Sequence, residues 1–260
     1  MDHPILIEEQ HGSVLLLQLN SPGNRNAIGA EMKDALWRGA KRFVESEELR
    51  CLLITGCEGV FCAGGDLRSM RTDTRTVAVR QRMALTHASI KLLVNCEKPV
   101  ITAVNGAAVG AGLSLALLGD IAIAREDAYF MAGFPKVGVL PDMGVLYTLP
   151  RAVGRMQAND LLMTNRRVEP QEAKAIGLVS RVLPAAGFLE AALQLAQQVA
   201  EGPPVSIGLG KALAAGAMKD SFDEFLQKES IAQAVVFGTE DFAEGQTAFV
   251  EKRRPRFRGR

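Results

Sequence analysis

Two glycine-bearing segments have the residue types of a site that stabilises a developing negative charge. They read VFCAGGDLRSM (60–70) and NGAAVGAGLSL (105–115), and in each a strand-like run passes through glycines into a helix-like run. The first N–H groups of a helix have no intrahelical acceptor, and the helix dipole is positive there. One such turn can bind an anion. Two that face each other would form an oxyanion hole for a carbonyl oxygen.

Ser114 is the one side chain with a reactive heteroatom close to the second turn. A nucleophile elbow would read G-x-S-x-G, whereas GLSLA lacks the second glycine. The histidines are His3, His11 and His87, of which the first two lie in the N-terminal region and the third in a helical stretch. A Ser–His–Asp triad is therefore disfavoured, and the sequence favours Ser114 as a packed helix residue.

Alternating strands and helices must position these turns. Strands are predicted at Ile5–Glu9, Val14–Leu19, Cys51–Thr55, Val100–Val104 and Ile121–Ala124, and helices at Gly29–Glu48 and about Thr76–Asn95. This alternation predicts an α/β fold, and the continuously apolar runs are typical of parallel strands buried on both faces. Residues 99–124 could also form a transmembrane helix. Asp120 and three glycines within that run argue against this alternative.

Composition limits the classes of protein to which the chain can belong. The chain has 260 residues, 48% hydrophobic and 23% charged, with a net charge of +1. These values predict one sizeable domain, or one with an appendage, and no nucleic-acid partner. The four cysteines include no C-x-x-C pair and have no histidine near them in sequence, which favours free thiols in a reducing cytoplasm over a metal site. The terminal basic cluster 252–260 is interpreted from charge alone as a solvated tail.

A helical region is predicted to follow the strands. We place an α/β core at 1–200 and C-terminal helices at 201–260. Apolar residues along this region need a surface to pack on, which is either the core or another subunit. These residues are Phe222, Phe225, Leu226, Val235, Val236, Phe237, Phe242 and Phe249.

Over nearly its whole length the chain resembles the enoyl-CoA hydratase/isomerase (crotonase) family. The motifs that carry the resemblance are SPGNRNAI, FCAGGDL, KPVITAVNGAAVGAG, DIAIA, AYFMAGFPKVGVLPDMG, EAKAIGLVSRVLP and FVEKRRPRF. The resemblance implies a crotonase-like spiral of ββα units with a C-terminal helical region that forms trimers or hexamers. It also implies that the amides of Gly65 and Ala111 stabilise the enolate of a CoA thioester.

At the positions of the two glutamates that enoyl-CoA hydratases use, the chain has Ser114 and Phe134. Asp142 matches the acidic position of isomerases in the family. The resemblance therefore implies a double-bond isomerase that uses one carboxylate, with Phe134 as an apolar wall that raises the pKa of Asp142 by desolvation. A helix N-cap is the alternative role for Asp142. Alternatives for the chain are a hydratase-like enzyme, a hydrolase, or a non-catalytic CoA-thioester-binding protein.

Further residues match positions that contact coenzyme A in the family. The resemblance implies no metal and no redox cofactor, coenzyme A being part of the substrate, and neither nucleic acid nor membrane as partner. Asp66 could instead cap the helix that follows it. Residues 69–79 are predicted to form a loop beside the acyl group that sets specificity. The matching residues are Asn24, Arg25, Ala63, Gly64, Asp66, Leu67, Phe249 and Lys252.

Overall fold

The computed structural model describes residues 3–57, 59–70 and 74–260. The strands are β1 (Leu6–His11), β2 (Val14–Leu19), β3 (Cys51–Gly56), β4 (Val100–Val104), β5 (Ala107–Val109), β6 (Ile121–Arg125), β7 (Tyr129–Met131) and β8 (Arg181–Leu183). The helices are α1 (Ala30–Glu45), α2 (Leu67–Met70), α3 (Thr76–Asn95), α4 (Ala111–Ala116), α5 (Val145–Val153), α6 (Arg155–Thr164), α7 (Pro170–Ala175), α8 (Phe188–Ala200), α9 (Pro204–Gly216), α10 (Phe222–Phe237) and α11 (Glu240–Glu251).

The main sheet has the strand order β1-β2-β3-β4-β6-β8. Only the β1–β2 pair in it is antiparallel, so the prediction of an α/β fold with parallel strands is confirmed. Every residue of β3 and β4 is buried, which explains their continuously apolar sequences. Because β3 and β4 are parallel neighbours, the segments that follow them leave the same edge of the sheet. These segments carry the two glycine turns.

Local sequence predicted some boundaries better than others. The predictions for β2, α3 and β4 match, whereas α1 ends at Glu45 rather than Glu48. The Lys98 ammonium donates hydrogen bonds to the carbonyls of Phe43, Val44 and Ser46, at 2.9, 3.2 and 2.5 Å. A lysine more than fifty residues along the chain thus satisfies the end of the helix, which no local pattern reveals.

Residues 99–124 do not form the membrane helix considered as an alternative. They form β4, β5, α4 and β6 in succession. Among the described residues, no helix is both long enough and apolar enough to cross a bilayer. The two short strands β5 and β7 pair with each other in a separate small sheet, and neither was predicted. Three residues are too few to establish a hydrophobic period.

The C-terminal region is helical, as predicted, but the described part of the chain leaves several of its apolar side chains exposed. Phe222, Leu226, Val235, Phe237 and Phe249 are exposed, Phe249 by 86%. The terminal basic segment makes specific contacts with α11. Arg253 forms ion pairs with Glu244 and Glu251, and the buried Asp241 accepts backbone hydrogen bonds from residues 258 and 259.

Candidate active site

The two glycine turns lie against each other. Gly64 and Gly110 have φ values of +118° and +56°, which L side chains rarely adopt. A Cβ atom on Gly64 would lie 3.2 Å from the carbonyl oxygen of Val109, and one on Gly110 would lie 3.8 Å from Gly64 Cα. A Cβ on Gly112 would come within 2.2 Å of the Cys62 carbonyl oxygen. The glycines therefore permit the close approach of two backbones.

Each turn presents a backbone N–H group that has no acceptor among the described residues. Ile28 pairs with Gly65 by donating to the carbonyl of Gly64 (2.8 Å) and accepting from the N–H of Asp66 (3.2 Å). In this parallel bridge the N–H of Gly65 points to the opposite side. Ala111 is the first residue of α4, so its N–H has no intrahelical acceptor. The amides of Gly65 and Ala111 are thus both available as donors.

Two buried asparagines hold the backbone between β3 and the first turn, and sequence reasoning missed both. Asn26 donates to the carbonyls of Val60 (2.8 Å) and Phe61 (3.3 Å). Asn105 bonds both the N–H (3.2 Å) and the carbonyl (2.8 Å) of Gly56, so it ties the ends of β3 and β4 together. The one sequence signal for these roles is a polar amide beside an apolar run. That signal does not say which backbone groups the amide will meet.

Ser114 is fully buried and connects α4 to the segment that carries Asp142. Its hydroxyl lies 3.0 Å from the backbone carbonyl of Asp142 and 3.3 Å from that of Gly110. The hydroxyl has one proton, so it donates to one of these carbonyls at a time. The interpretation of Ser114 as a packed helix residue is therefore confirmed. The contact also holds Asp142 near the helix that begins at Ala111.

Asp142 is not the N-cap that the local sequence allowed. Helix α5 begins at Val145 with Gly144 as its N-cap, and no side chain caps it. Met143 (φ 53°) and Gly144 (φ 84°) form a left-handed turn that separates Asp142 from the helix. The backbone carbonyl of Asp142, and not its carboxylate, accepts the N–H of Val145, at 3.2 Å. The carboxylate is therefore free of a capping role.

Burial raises the pKa of the Asp142 carboxyl above its ordinary value, while the charges of Lys33 and His87 act in the opposite direction. The direction of this shift agrees with the expectation for a desolvated carboxyl, whereas the role of Phe134 as the wall that desolvates it stays a prediction. Phe134 is 5% exposed and belongs to the same hydrophobic core as Met143. Lys33 lies on α1 and His87 on α3, and sequence reasoning assigned neither of them to the site. Their proximity to Asp142 depends on long-range packing.

Other polar groups of the first turn have structural roles. The Asp66 carboxylate accepts a hydrogen bond from the N–H of Arg68 at 3.0 Å, so Asp66 caps the start of α2 as the sequence suggested. Burial raises the pKa of the Cys62 thiol to about 12, so it is not a thiolate nucleophile at neutral pH.

The structure brings some of the predicted coenzyme-A contacts together and leaves others apart. Asn24 and Arg25 are exposed, and the carbonyl of Arg25 accepts the N–H of Ala63 at 3.0 Å. Leu67 is 49% exposed. Lys252 is the C-cap of α11. Phe249, also on α11, lines a separate cavity of about 400 Å³ together with residues of α9. Of the loop predicted at 69–79, residues 76–79 instead begin α3 and residues 71–73 lie outside the described residues.

Comparison with known proteins decides the family. A family model described as enoyl-CoA hydratase/isomerase matches residues 9–260. The chain belongs to the enoyl-CoA hydratase/isomerase family. It is 35% identical over 250 residues to a 1,2-epoxyphenylacetyl-CoA isomerase from Escherichia coli, covering 95% of both chains. It is 34% identical to a probable mitochondrial enoyl-CoA hydratase from Dictyostelium discoideum, covering 95% of this chain and 88% of the relative.

Solved structures of this family share the fold. The crystal structure of an enoyl-CoA hydratase from Bacillus anthracis superimposes with a TM-score of 0.93 at 30% identity, covering 98% of this chain and all of the other. A second enoyl-CoA hydratase, from Polaromonas, gives 0.92 at 33% identity, covering 97% and 99%. The fold is therefore the crotonase fold, as the resemblance implied. Named relatives include both isomerases and hydratases, so the family alone does not fix the reaction.

Proposed function

We propose that this member of the enoyl-CoA hydratase/isomerase family is an enoyl-CoA isomerase that moves a double bond with Asp142 as its single catalytic base. The observation that carries the proposal is the half-buried Asp142 carboxylate, which caps no helix and lies on the segment hydrogen-bonded to α4. Helix α4 also supplies the N–H of Ala111. A base and an oxyanion donor are thus linked through one buried hydroxyl.

The proposed reaction needs one base and one anion site. The thioester oxygen accepts hydrogen bonds from the amides of Gly65 and Ala111, which acidifies the α-carbon. The Asp142 carboxylate removes a proton from C2 of a 3-enoyl-CoA, and the electrons move into a dienolate held by the two amides. Asp142 then returns the proton to C4, which leaves the double bond between C2 and C3. Neither water nor a second acid is consumed.

Hydration is the less favoured reaction at this site. In the resemblance to the family, Ser114 and Phe134 match the positions of the two hydratase glutamates. The Ser114 hydroxyl is fully buried and engaged with backbone carbonyls, and Phe134 has no ionisable group. Each general acid–base group contributes about 10²- to 10⁴-fold to a rate. Loss of both therefore favours isomerisation, which requires only one.

A parallel assay tests the proposal. The purified protein is given a 3-enoyl-CoA, and formation of 2-enoyl-CoA is followed by absorbance, with hydration of crotonyl-CoA measured beside it. We expect migration without appreciable hydration. Hydration at a rate comparable to migration would overturn the assignment in favour of a hydratase. Binding of both thioesters without turnover of either would favour a binding protein.

We propose further that the C-terminal helices form a homotrimer or hexamer and that Phe249 and Lys252 reach the coenzyme A of a neighbouring subunit. The exposed apolar side chains of α10 and α11 support this assembly, because nothing in the described part of the same chain covers them. Cytoplasmic location remains a prediction.

Lys252→Ala is expected to weaken binding of an acyl-CoA about fivefold at low ionic strength, as expected for one exposed ion pair with a phosphate. The difference should shrink as salt is added, because screening weakens such a pair. Titration calorimetry at two salt concentrations measures both effects. Lys174→Ala, another exposed lysine, is the matched control. Equal affinity of the Lys252 variant and the wild type at low salt would reject the phosphate contact.

Ser114→Ala is expected to lower kcat about three- to tenfold with little change in KM. The variant loses the hydrogen bond that holds the Asp142 backbone, and a neutral hydrogen bond contributes about 1 kcal/mol. Ser180→Ala is the matched control, because Ser180 also donates to a backbone carbonyl, that of Ala122 at 2.9 Å, away from the site. Equal kcat values in the two variants would show that Ser114 does not position the base.

A further inference from the structure

The side chain of Asn165, at the end of α6, holds the backbone of a glycine that follows β7. The N–H of Gly133 donates a hydrogen bond to Oδ1 of Asn165 at 2.5 Å. Asn165 is the C-cap of α6, and Gly133 lies two residues beyond the end of β7. The two residues are 32 positions apart in the chain, so this contact depends on the packing of separate elements.

An antiparallel bridge brings these two segments together. The N–H groups of Phe130 and Val168 each donate to the carbonyl of the other residue, at 3.0 and 2.9 Å. In an antiparallel pair, three steps forward along one segment correspond to three steps back along the other, so Gly133 comes to lie opposite Asn165. At that point the amide side chain of Asn165 supplies the acceptor for the Gly133 N–H, in place of a main-chain carbonyl.

Gly133 in turn lies directly against the second glycine turn. A Cβ atom on Gly133 would lie 2.8 Å from Cγ1 of Val109 and 3.0 Å from the backbone nitrogen of Gly110. The N–H of Gly110 donates to the carbonyl of Met131 at 3.1 Å, so the segment after β7 holds this turn from one side. Ala111 is the next residue and begins α4. A shift of Gly133 would therefore move the peptide that carries the Ala111 N–H.

We propose that Asn165 is a positioning residue, which acts through Gly133 and Gly110 to fix the direction of the Ala111 N–H. The proposal rests on the proposed function in that Ala111 donates to the thioester oxygen. Such a donor stabilises a developing charge only when the protein holds it in place beforehand. The left-handed C-cap position of Asn165 (φ 55°) is one that glycine fills without any side chain. The cap alone therefore does not require the amide that binds Gly133.

Two substitutions separate the amide from the cap. Asn165→Gly keeps the left-handed cap and removes the acceptor, whereas Asn165→Asp keeps an acceptor and tolerates the same φ. Asn165→Gly is expected to lower kcat for double-bond migration about five- to tenfold, the effect of one lost hydrogen bond, with little change in KM or in the thermal midpoint. Asn165→Asp should restore kcat to near the wild-type value.

Ser46→Ala is the matched control. Ser46 is the C-cap of α1, and its hydroxyl oxygen accepts the backbone N–H groups of Glu48 and Leu49, at 3.2 and 3.3 Å. It thus has the same kind of contact at a helix end, but at the end of α1 remote from the oxyanion turn. The control should retain the wild-type kcat.

A bound enolate tests the same donor without any turnover. Acetoacetyl-CoA has acidic protons between two carbonyl groups, and its enolate absorbs in the ultraviolet, so a pH titration of the complex gives the ionisation constant of the bound thioester. Oxyanion donors favour the enolate, and the wild type should therefore raise this constant above that of free acetoacetyl-CoA. In Asn165→Gly the constant should fall about five- to tenfold below the wild-type value, as for the loss of one well-placed hydrogen bond.

The outcomes separate this proposal from the proposed reaction. Wild-type values of both kcat and the ionisation constant in Asn165→Gly would overturn the positioning role, and so would equal losses in Asn165→Gly and Asn165→Asp. A wild type that stabilises the enolate but moves no double bond would overturn the isomerase assignment and leave the role of Asn165 intact. A wild type that does not stabilise the enolate would remove the oxyanion hole, and the role of Asn165 with it.

Discussion

Asp142→Asn is expected to lower kcat for double-bond migration by about 10²- to 10⁴-fold, the contribution of one general acid–base group. Asparagine has nearly the same shape as aspartate, so the Ser114 hydrogen bond to the backbone of residue 142 should persist. An amide cannot accept and return the proton. KM should change little, because the proposed contacts of the thioester oxygen and of coenzyme A are made by other residues.

The same variant should be at least as stable as the wild type. Burial raises the pKa of Asp142 in the folded state above its unfolded value, so the folded protein binds the proton more tightly. The ionised carboxylate therefore lowers the free energy of unfolding. This loss of stability develops as pH rises from the unfolded pKa of Asp142 to its folded pKa, and it is complete above the folded pKa. Removing the charge should leave the thermal midpoint at neutral pH unchanged or higher.

The pH dependence distinguishes a base from a structural group. Wild-type kcat should rise with pH through the raised pKa of Asp142, because only the carboxylate form can remove a proton. The residual rate of Asp142→Asn should not follow this curve. Asp34→Asn on α1 is the matched control and should retain wild-type turnover, since Asp34 pairs with the exposed Arg38. More than a tenth of wild-type kcat in Asp142→Asn would exclude Asp142 as the catalytic base.

The sequence predicted what depends on neighbouring residues. Continuous apolar runs located β2, β3 and β4, and the glycines located the two turns, because close backbone approach excludes side chains there. The N-cap alternative for Asp142 was wrong, because a left-handed turn at Met143 and Gly144 intervenes. Methionine rarely adopts a positive φ, so the local sequence does not predict this turn.

The remaining features of the site depend on residues far apart in the chain. Lys33 on α1 and His87 on α3 come near Asp142 through long-range packing, and Lys98 ends α1 from another segment. When each helix is considered alone, Lys33 and His87 look like ordinary solvated positions of amphipathic helices. The sequence therefore indicated the candidate backbone donors. The charged groups around Asp142 became apparent only from the three-dimensional packing.

Ala111→Pro is expected to remove one oxyanion donor and lower kcat by at least about 10²- to 10³-fold, the cost of losing such a group. Proline has no N–H, and it is well tolerated at the first position of a helix, which Ala111 occupies in α4. Gly110 precedes it with φ 56° and ψ −119°, the mirror image of the extended conformation that proline favours in its neighbour. The fold should therefore survive, with a thermal midpoint close to that of the wild type.

The proline ring also occupies the space in front of the lost hydrogen, so a second variant separates bulk from hydrogen bonding. An ester bond in place of the Gly110–Ala111 amide, made with lactic acid at position 111, removes the hydrogen without adding atoms. If the Ala111 N–H stabilises the dienolate, the ester variant should also lose most of its kcat while binding hexanoyl-CoA nearly as well as the wild type. Because the anion forms only during the reaction, the donor should matter far more to turnover than to affinity. A folded ester variant with kcat within threefold of the wild type would remove Ala111 from the oxyanion hole.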